Sequence, residues 1–570
     1  MNVFVPLLFK GGYTRSGRGG SARLAHHPGP AADPSPYEER KCKRQSLRTA
    51  RPGLRLRRAA IVVSIALGAC SLQPAYRQPD LPVASAYPTG PAYKATPGGK
   101  GATPLPAAEI GWRDFLTDPR LQKLVEVALA NNRDLRISVL NVAQAQSSYR
   151  IQRAALFPQV TGFADATRSR TPGSLTTNGQ PQTLNTWEAG VAVPAWELDF
   201  FGRLRSLSDA QFQLYLANAQ ARKAAEILLV SEVANQYLTM LADDELLAVT
   251  ERLLETSRKN YDIVKLQFDT GTTTELALRQ AETIVEQAEA NHAAYVRARA
   301  QDENMLVLLL GQPMPQDLPP VIPMRQQAIL ADIPPGLPSD LLTRRPDIQE
   351  AEAILRSENA NIGAARAAFF PQITLTGSFG VASASLNGLS KGGAQAWSFG
   401  PSITVPIFEG GQLRASLDLA RIQKDIGVAQ YEKAIQTAFS EVANDLAARG
   451  TYDDQIASLE RYVTALQRSV DLSWARYRSG VDNYLSVLTA QTNLYSGQQT
   501  LVAVRLNRLT NLVTLYKDLG GGWIQHTGDE PRAPDAGTLY SGDAPERAAA
   551  KQATAASSPS SPKGTPAKQQ

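Results

Sequence analysis

The stretch Ala368-Phe369-Phe370-Pro371-Gln372-Ile373 restates, 213 positions later, the earlier Ala155-Leu156-Phe157-Pro158-Gln159-Val160. The echoes continue outward in order. Trp187 returns as Trp397, and Ser231-Glu232-Val233-Ala234-Asn235 recurs unchanged as Ser440-Glu441-Val442-Ala443-Asn444. Gly271 and Gly311 return as Gly480 and Gly520, both 209 positions on. The spacing drifts only across loops, so the chain carries two copies of one module.

Each copy opens with a helix, predicted over 121–156 and 339–369, and closed by a Phe-Pro pair because the residue before proline avoids the helical region. Two extended segments follow. In 373–379, Ile373, Leu375 and Phe379 alternate with Thr374, Thr376 and Ser378. In 397–407, Trp397, Phe399, Ile403, Val405 and Ile407 alternate with Ser398, Gly400, Ser402 and Thr404. In copy one, Trp187, Ala189, Val191 and Val193 do the same. Such strands suit a transmembrane β-barrel. A soluble sheet with one face on a core has the same period of two.

Two long helices complete each copy, predicted over 204–268 and 274–310, then 413–477 and 482–519. Their apolar positions step by three and four. One seam runs Leu485, Leu488, Thr492, Tyr495, Gln499, Val502, Leu506, Leu509, Val513 and Tyr516. Leu207, Ala210, Leu214, Ala217, Ala221, Ala224 and Leu228 form another, and Leu278, Ala281, Val285, Ala288, His292 and Tyr295 a third. That period implies left-handed coiled-coil packing. A helix of about 64 residues is roughly 96 Å long at 1.5 Å per residue, long enough to cross a periplasm.

Four strands per chain cannot close a barrel, and an open edge cannot face lipid. If the strands enter a membrane the chain must oligomerise. The count alone allows a dimer or a trimer.

The overall charge of +6 comes from the leader. Of 59 Lys/Arg and 53 Asp/Glu, residues 1–69 hold 13 and 3, leaving 46 and 50, a balance of −4. A nucleic-acid role loses its support. The leader, residues 1–69, contains a basic stretch, Arg51–Arg58, and an apolar run, Ala59–Ala69, that ends at Cys70. This is the layout of a signal peptide. The residues before it read as a translation start assigned too far upstream. Leu67-Gly68-Ala69-Cys70 resembles a bacterial lipobox. That likeness implies cleavage before Cys70, with N-acyl and S-diacylglycerol groups on it, and multiple acyl chains make a stable anchor. The only other cysteine, Cys42, lies in the leader, so no disulfide and no cysteine-based metal site or nucleophile is expected. The four histidines, His26, His27, His292 and His526, are scattered. No enzyme, metal site or cofactor is expected beyond the covalent lipid.

More of the chain matches one family. Trp112-Arg113-Asp114-Phe115, Asp118-Pro119-Arg120-Leu121 and Asn132-Arg133-Asp134-Leu135 belong to its pattern. So do both Phe-Pro-Gln turns and Leu342-Thr343-Arg344-Arg345-Pro346-Asp347-Ile348, as do Tyr477-Arg478-Ser479-Gly480-Val481-Asp482-Asn483-Tyr484-Leu485 and Leu519-Gly520-Gly521-Gly522-Trp523. From Cys70 to Trp523 the chain resembles outer-membrane efflux lipoproteins of the TolC superfamily, the NodT/OprM type that serves RND pumps. The resemblance implies an α+β, TolC-like duplicated fold. Four strands per chain would contribute to a 12-stranded barrel in a homotrimer, and the long helices would form a periplasmic α-barrel girdled by a mixed equatorial region. The expected layout is an acylated segment at 70–115, repeat one at 116–311, an equatorial linker at 312–338, repeat two at 339–523 and a disordered tail at 524–570. The implied partners are a periplasmic membrane-fusion adaptor, an inner-membrane RND pump and outer-membrane lipid, with no nucleic acid. The implied function is passive export of drugs or other small molecules. A type I protein-secretion duct and a periplasmic coiled-coil adaptor or scaffold lipoprotein are the rivals.

The resemblance also implies a gate just after the helix-joining turns, Gly271 and Gly480. Its hydrophobic constriction maps onto Leu485. An acidic ring common in relatives maps onto Thr489, which carries no charge. A network holding the tip shut maps onto Tyr477, Arg478 and Asp482.

Overall fold

The computed structural model describes residues 71–94, 105–327, 329 and 333–529. The expected leader, the lipidation site Cys70 and residues 530–570 lie outside the described residues. Copy one runs α1 (Pro119–Asn131), α2 (Arg133–Ala154), β1 (Thr161–Thr171), β2 (Gln182–Glu197), α3 (Arg203–Asp269) and α4 (Glu275–Leu310). Copy two runs α5 (Pro346–Ala367), β3 (Gln372–Ser383), β4 (Gln395–Thr404), α6 (Gln412–Arg478) and α7 (Tyr484–Asp518). The matched elements agree closely in length: α2 and α5 have 22 residues each, and α3 and α6 have 67 each. At 1.5 Å per residue the latter are about 100 Å long. Polar ties repeat as well. Arg299 donates to Asp244 at 2.7 Å, and Arg508 to Asp453 at 2.5 Å. Gln236 donates to Asp302 at 2.9 Å; in copy two the amide and acid change places, and Asn511 donates to Asp445 at 3.1 Å.

The helix predicted over 121–156 is broken at Asn132. The Asn132 side chain accepts from Leu135 N at 2.8 Å and donates to Leu309 O at 2.9 Å. It caps a new helix and ties it to the end of α4, and asparagine is well suited to that break. Copy two makes the corresponding break at Arg345, before Pro346. Buried Arg345 reaches Asp347 at 2.7 Å and Glu441 at 2.8 Å.

The strands form one antiparallel sheet in the order β1-β2-β3-β4. The join between copies is the β2–β3 pair, where Val191 opposes Phe379 and Gly190 opposes Gly380. One face carries Trp187, Val191, Phe379, Trp397, Phe399 and Ile403, with the last five large and exposed. The other carries Thr374, Thr376, Ser378, Ser398 and Ser402, with the Ser378 and Ser398 hydroxyls 2.8 Å apart. β4 ends at Thr404, short of the expected 407, because Thr404 pairs with Gln372, the first residue of β3, and the next position, Pro371, has no N–H for the ladder. Pro194 sits in the register shift of β2, between Val193 and Trp196, for the same reason.

The main core lies around the middle of α3 and α6, where the C-terminal ends of α4 and α7 pack with α1. Phe115 stacks on Tyr516 with centroids 4.0 Å apart, and Tyr516 OH donates to Ile110 O at 2.6 Å. Met324 and Ile333, from the linker between copies, are buried in the same core. The expected tail begins too early at 524. Ile524 is buried, its carbonyl accepts from Trp112 N at 2.9 Å, and Thr527 N donates to Asp114 at 2.7 Å. Gly111 permits this contact, since a Cβ there would lie 2.5 Å from His526 backbone.

Residues 71–94 form an extended strap across both copies. Gln73 donates to Asp209 at 3.1 Å, Tyr76 to Glu352 at 3.1 Å and Gln78 to the Tyr431 hydroxyl at 2.8 Å, while Lys94 pairs with Asp454.

Candidate functional site: the helical tip

The two long helices of each copy meet at a tight turn. Gly271 and Gly480 take φ of +74° and +73°, with nothing within 4 Å of an added Cβ. Backbone conformation, not crowding, therefore requires glycine at both. The turns close alike: Thr272 N donates to Gln267 O at 2.8 Å, and Val481 N to Arg476 O at 3.0 Å. Thr274 and Asn483 then cap α4 and α7.

A small separate core holds the tip together. Val264, Leu278, Ala281, Tyr484, Val487 and Leu488 are buried, and Trp474 and Tyr477 pack against them. Burial pushes the Tyr484 hydroxyl up to about 12.

The three residues expected to form one network go to three places. Tyr477 OH donates to Gln267 Oε1 at 2.9 Å and so joins the two turns. The Arg478 guanidinium lies 5.4 Å over the Trp474 ring. Asp482 is held by Arg476, which donates through Nε at 2.6 Å and Nη2 at 3.0 Å. The hydrogen bonds from Arg476 hold the Asp482 carboxyl below its ordinary value. Arg476 was missed by sequence reasoning because the family pattern begins at Tyr477. In copy one the equivalent positions are Gln267 and Thr273, so only the second turn has this ion pair.

Leu485, in the first turn of α7, is 49% exposed, although it begins the heptad seam. Thr489 is also exposed, and its hydroxyl donates to Leu485 O at 2.9 Å. Thr492, another seam position, is exposed too, while Leu488, Tyr495, Val502, Leu509, Val513 and Tyr516 are buried. Leu276, 209 positions before Leu485, is 68% exposed. The duplication alone could have pointed to it. His292 is half-buried on its seam, 3.7 Å from Glu251.

A sheet with an exposed apolar face, carried on paired 67-residue helices, has known counterparts. The family described as outer membrane efflux protein matches residues 124–312 and 337–521. The toluene efflux pump outer membrane protein TtgC of Pseudomonas putida is 47% identical over 467 residues, covering 82% of this chain and 96% of TtgC. This chain belongs to the outer membrane efflux protein family. Outer membrane protein OprJ of Pseudomonas aeruginosa is 41% identical over 82% of this chain and 95% of its own length. The open-state MtrE outer membrane channel of Neisseria gonorrhoeae superposes with a TM-score of 0.72, at 37% identity, over 81% of this chain and all of MtrE. The TolC-like fold is thus established, as is the role of outer-membrane exit duct in an efflux system. As a member of this efflux family, the chain places its sheet in the outer membrane, and its long helices extend away on one side.

Proposed function

We propose that three copies of this chain form the duct of a tripartite RND-type efflux system, closing a 12-stranded barrel by pairing β4 of one copy with β1 of the next. The observation that carries this is the four-stranded sheet, whose edge strands β1 and β4 have no further strand partner among the described residues and whose apolar face is exposed. The apolar face suits lipid, but the unpaired N–H and C=O groups of the edges do not, so in the membrane the edges must close. A periplasmic adaptor would dock at the helical end and an inner-membrane pump would supply the energy. The cargo would be drugs or other small molecules, in keeping with the toluene named for the relative TtgC. Lipidation at Cys70 would add an anchor. In support, the strap starts at the sheet end of α5: Leu72 O accepts from Arg366 at 3.3 Å, and Gly363 packs on Gln73. Leu485 would narrow the tip, with Thr489 one turn further along α7.

Native mass measurement in mild detergent should give a trimer that sediments with outer membranes; a stable monomer would refute the barrel. In planar bilayers Leu485→Ser trimers should conduct more than wild type, and unchanged conductance would remove Leu485 from the gate.

A further inference from the structure

On β1, Arg168 and Arg170 share the face that carries the apolar stripe. Arg168 opposes Asn185 and Arg170 opposes Thr183, in the same register that sets Ala166 against Trp187 and Gly162 against Val191. Both arginines are exposed. The nearby acids, Asp165 and Glu188, oppose one another and point to the other face.

Their height follows from the register. The outward apolar rows run from Ile373–Ile403 to the row of Ser383 and Trp187. That is ten residues of β3, about 33 Å along the strand at roughly 3.3 Å per residue. At the ~40° tilt of barrel strands it spans about 25 Å, the height of a barrel's apolar band. Along β1 itself, Arg168 and Arg170 lie two and four residues beyond Ala166, the last outward apolar position of that strand, about 5 and 10 Å nearer the hairpin end along the barrel axis, where the apolar stripe gives way to headgroups. They sit at the hairpin end of the strands, opposite the end where α2 enters and α3 leaves. That end meets the outer leaflet.

We propose that Arg168 and Arg170 bind the phosphate of a phosphorylated glycolipid of the outer leaflet. The proposal rests on the outer-membrane placement of the sheet. A guanidinium offers paired donors that match phosphate oxygens and stays charged at any physiological pH. Asn185 and Thr183, directly opposite, bring neutral hydrogen-bonding groups suited to sugar hydroxyls. Below them Gly162, Ala164 and Ala166 make a shallow strip beside Trp187 that an acyl chain can fill.

The test is native mass spectrometry of the purified oligomer titrated with bisphosphorylated lipid A, fully dephosphorylated lipid A and phosphatidylglycerol. Wild type should bind the bisphosphorylated lipid at least tenfold more tightly than the other two. The R168Q/R170Q variant should lose that preference, and R168K/R170K should keep part of it. Bilayer conductance of R168Q/R170Q should equal wild type, which separates loss of the lipid site from loss of the duct. Equal binding by wild type and R168Q/R170Q, or equal binding of phosphatidylglycerol, would overturn the proposal.

Discussion

Replacing Asp445 with asparagine should stabilise the protein above neutral pH and flatten its pH dependence. Asp445 lies in α6 against the end of α7. Its Oδ1 accepts from Asn511, while its Oδ2 is buried and meets no donor among the described residues. Burial, and then the charge of Asp518 beside it, push the Asp445 carboxyl up to about 8. Glu441 adds to the shift, and Lys517 opposes it. Asp518 itself takes Lys517 at 3.0 Å and Arg345 at 3.9 Å. A proton on Asp445 supplies a donor between the two carboxylates. The sign follows from linkage. An acid whose folded value is raised contributes stability that is full below its unfolded value, near 4, and is lost as pH rises through the folded value, near 8. A shift of four units is at most about 5–6 kcal/mol, at 1.36 kcal/mol per unit. Partial accessibility and relaxation of the ionised pair reduce this, so about 2 kcal/mol per chain is the expected gain for Asp445→Asn at pH 9. The amide keeps an acceptor for Asn511 and never ionises. Thermal melts of the detergent-solubilised oligomer at pH 5, 6.5, 8 and 9 would show this as a difference between wild type and variant that grows with pH. Parallel profiles would refute a proton shared between Asp445 and Asp518.

Asp482→Asn should leave the melting temperature unchanged, because the Arg476–Asp482 pair is exposed and lies within one turn. It should speed amide exchange over residues 476–485, and unaltered exchange would show that the pair does not hold the turn. Gly380→Leu should abolish assembly: a Cβ at Gly380 would lie 2.3 Å from Ala189 O and 2.7 Å from Gly190 Cα, at the join between copies. Gly162→Ala, whose Cβ meets nothing nearer than 4.0 Å, should assemble normally. The yield of oligomer in outer-membrane fractions distinguishes the two.

Sequence periodicity located each long helix to within about two residues of its observed ends, because heptad stepping and the glycine turns are local signals. The first helix was less legible. Its break depends on the Asn132 side chain reaching Leu309, 177 positions away, and no local pattern announces that bond. Ile524–Asp529 read as tail because their composition is polar, yet Trp112 and Asp114, more than 400 positions earlier, give their backbone partners.

At the tip the limit is angular. Successive helical residues are turned by about 100°, so Arg476 and Arg478 point roughly 200° apart and only one can meet Asp482. The sequence supplies both arginines, and the turn geometry selects Arg476. The same holds for Leu485, where the heptad places a leucine on the seam but the arrangement of four helices leaves it exposed within the chain. The sequence by itself determined the duplication, the alternating strands, the paired helices and the positive-φ turns, because each is a matter of period or local backbone conformation. Only the tertiary structure decided that β2 and β3 join the copies into one sheet, that Asp445 meets Asp518, and that Arg168 and Arg170 stand beyond the last outward apolar position of β1. Those depend on strand register and on contacts between residues far apart in the chain.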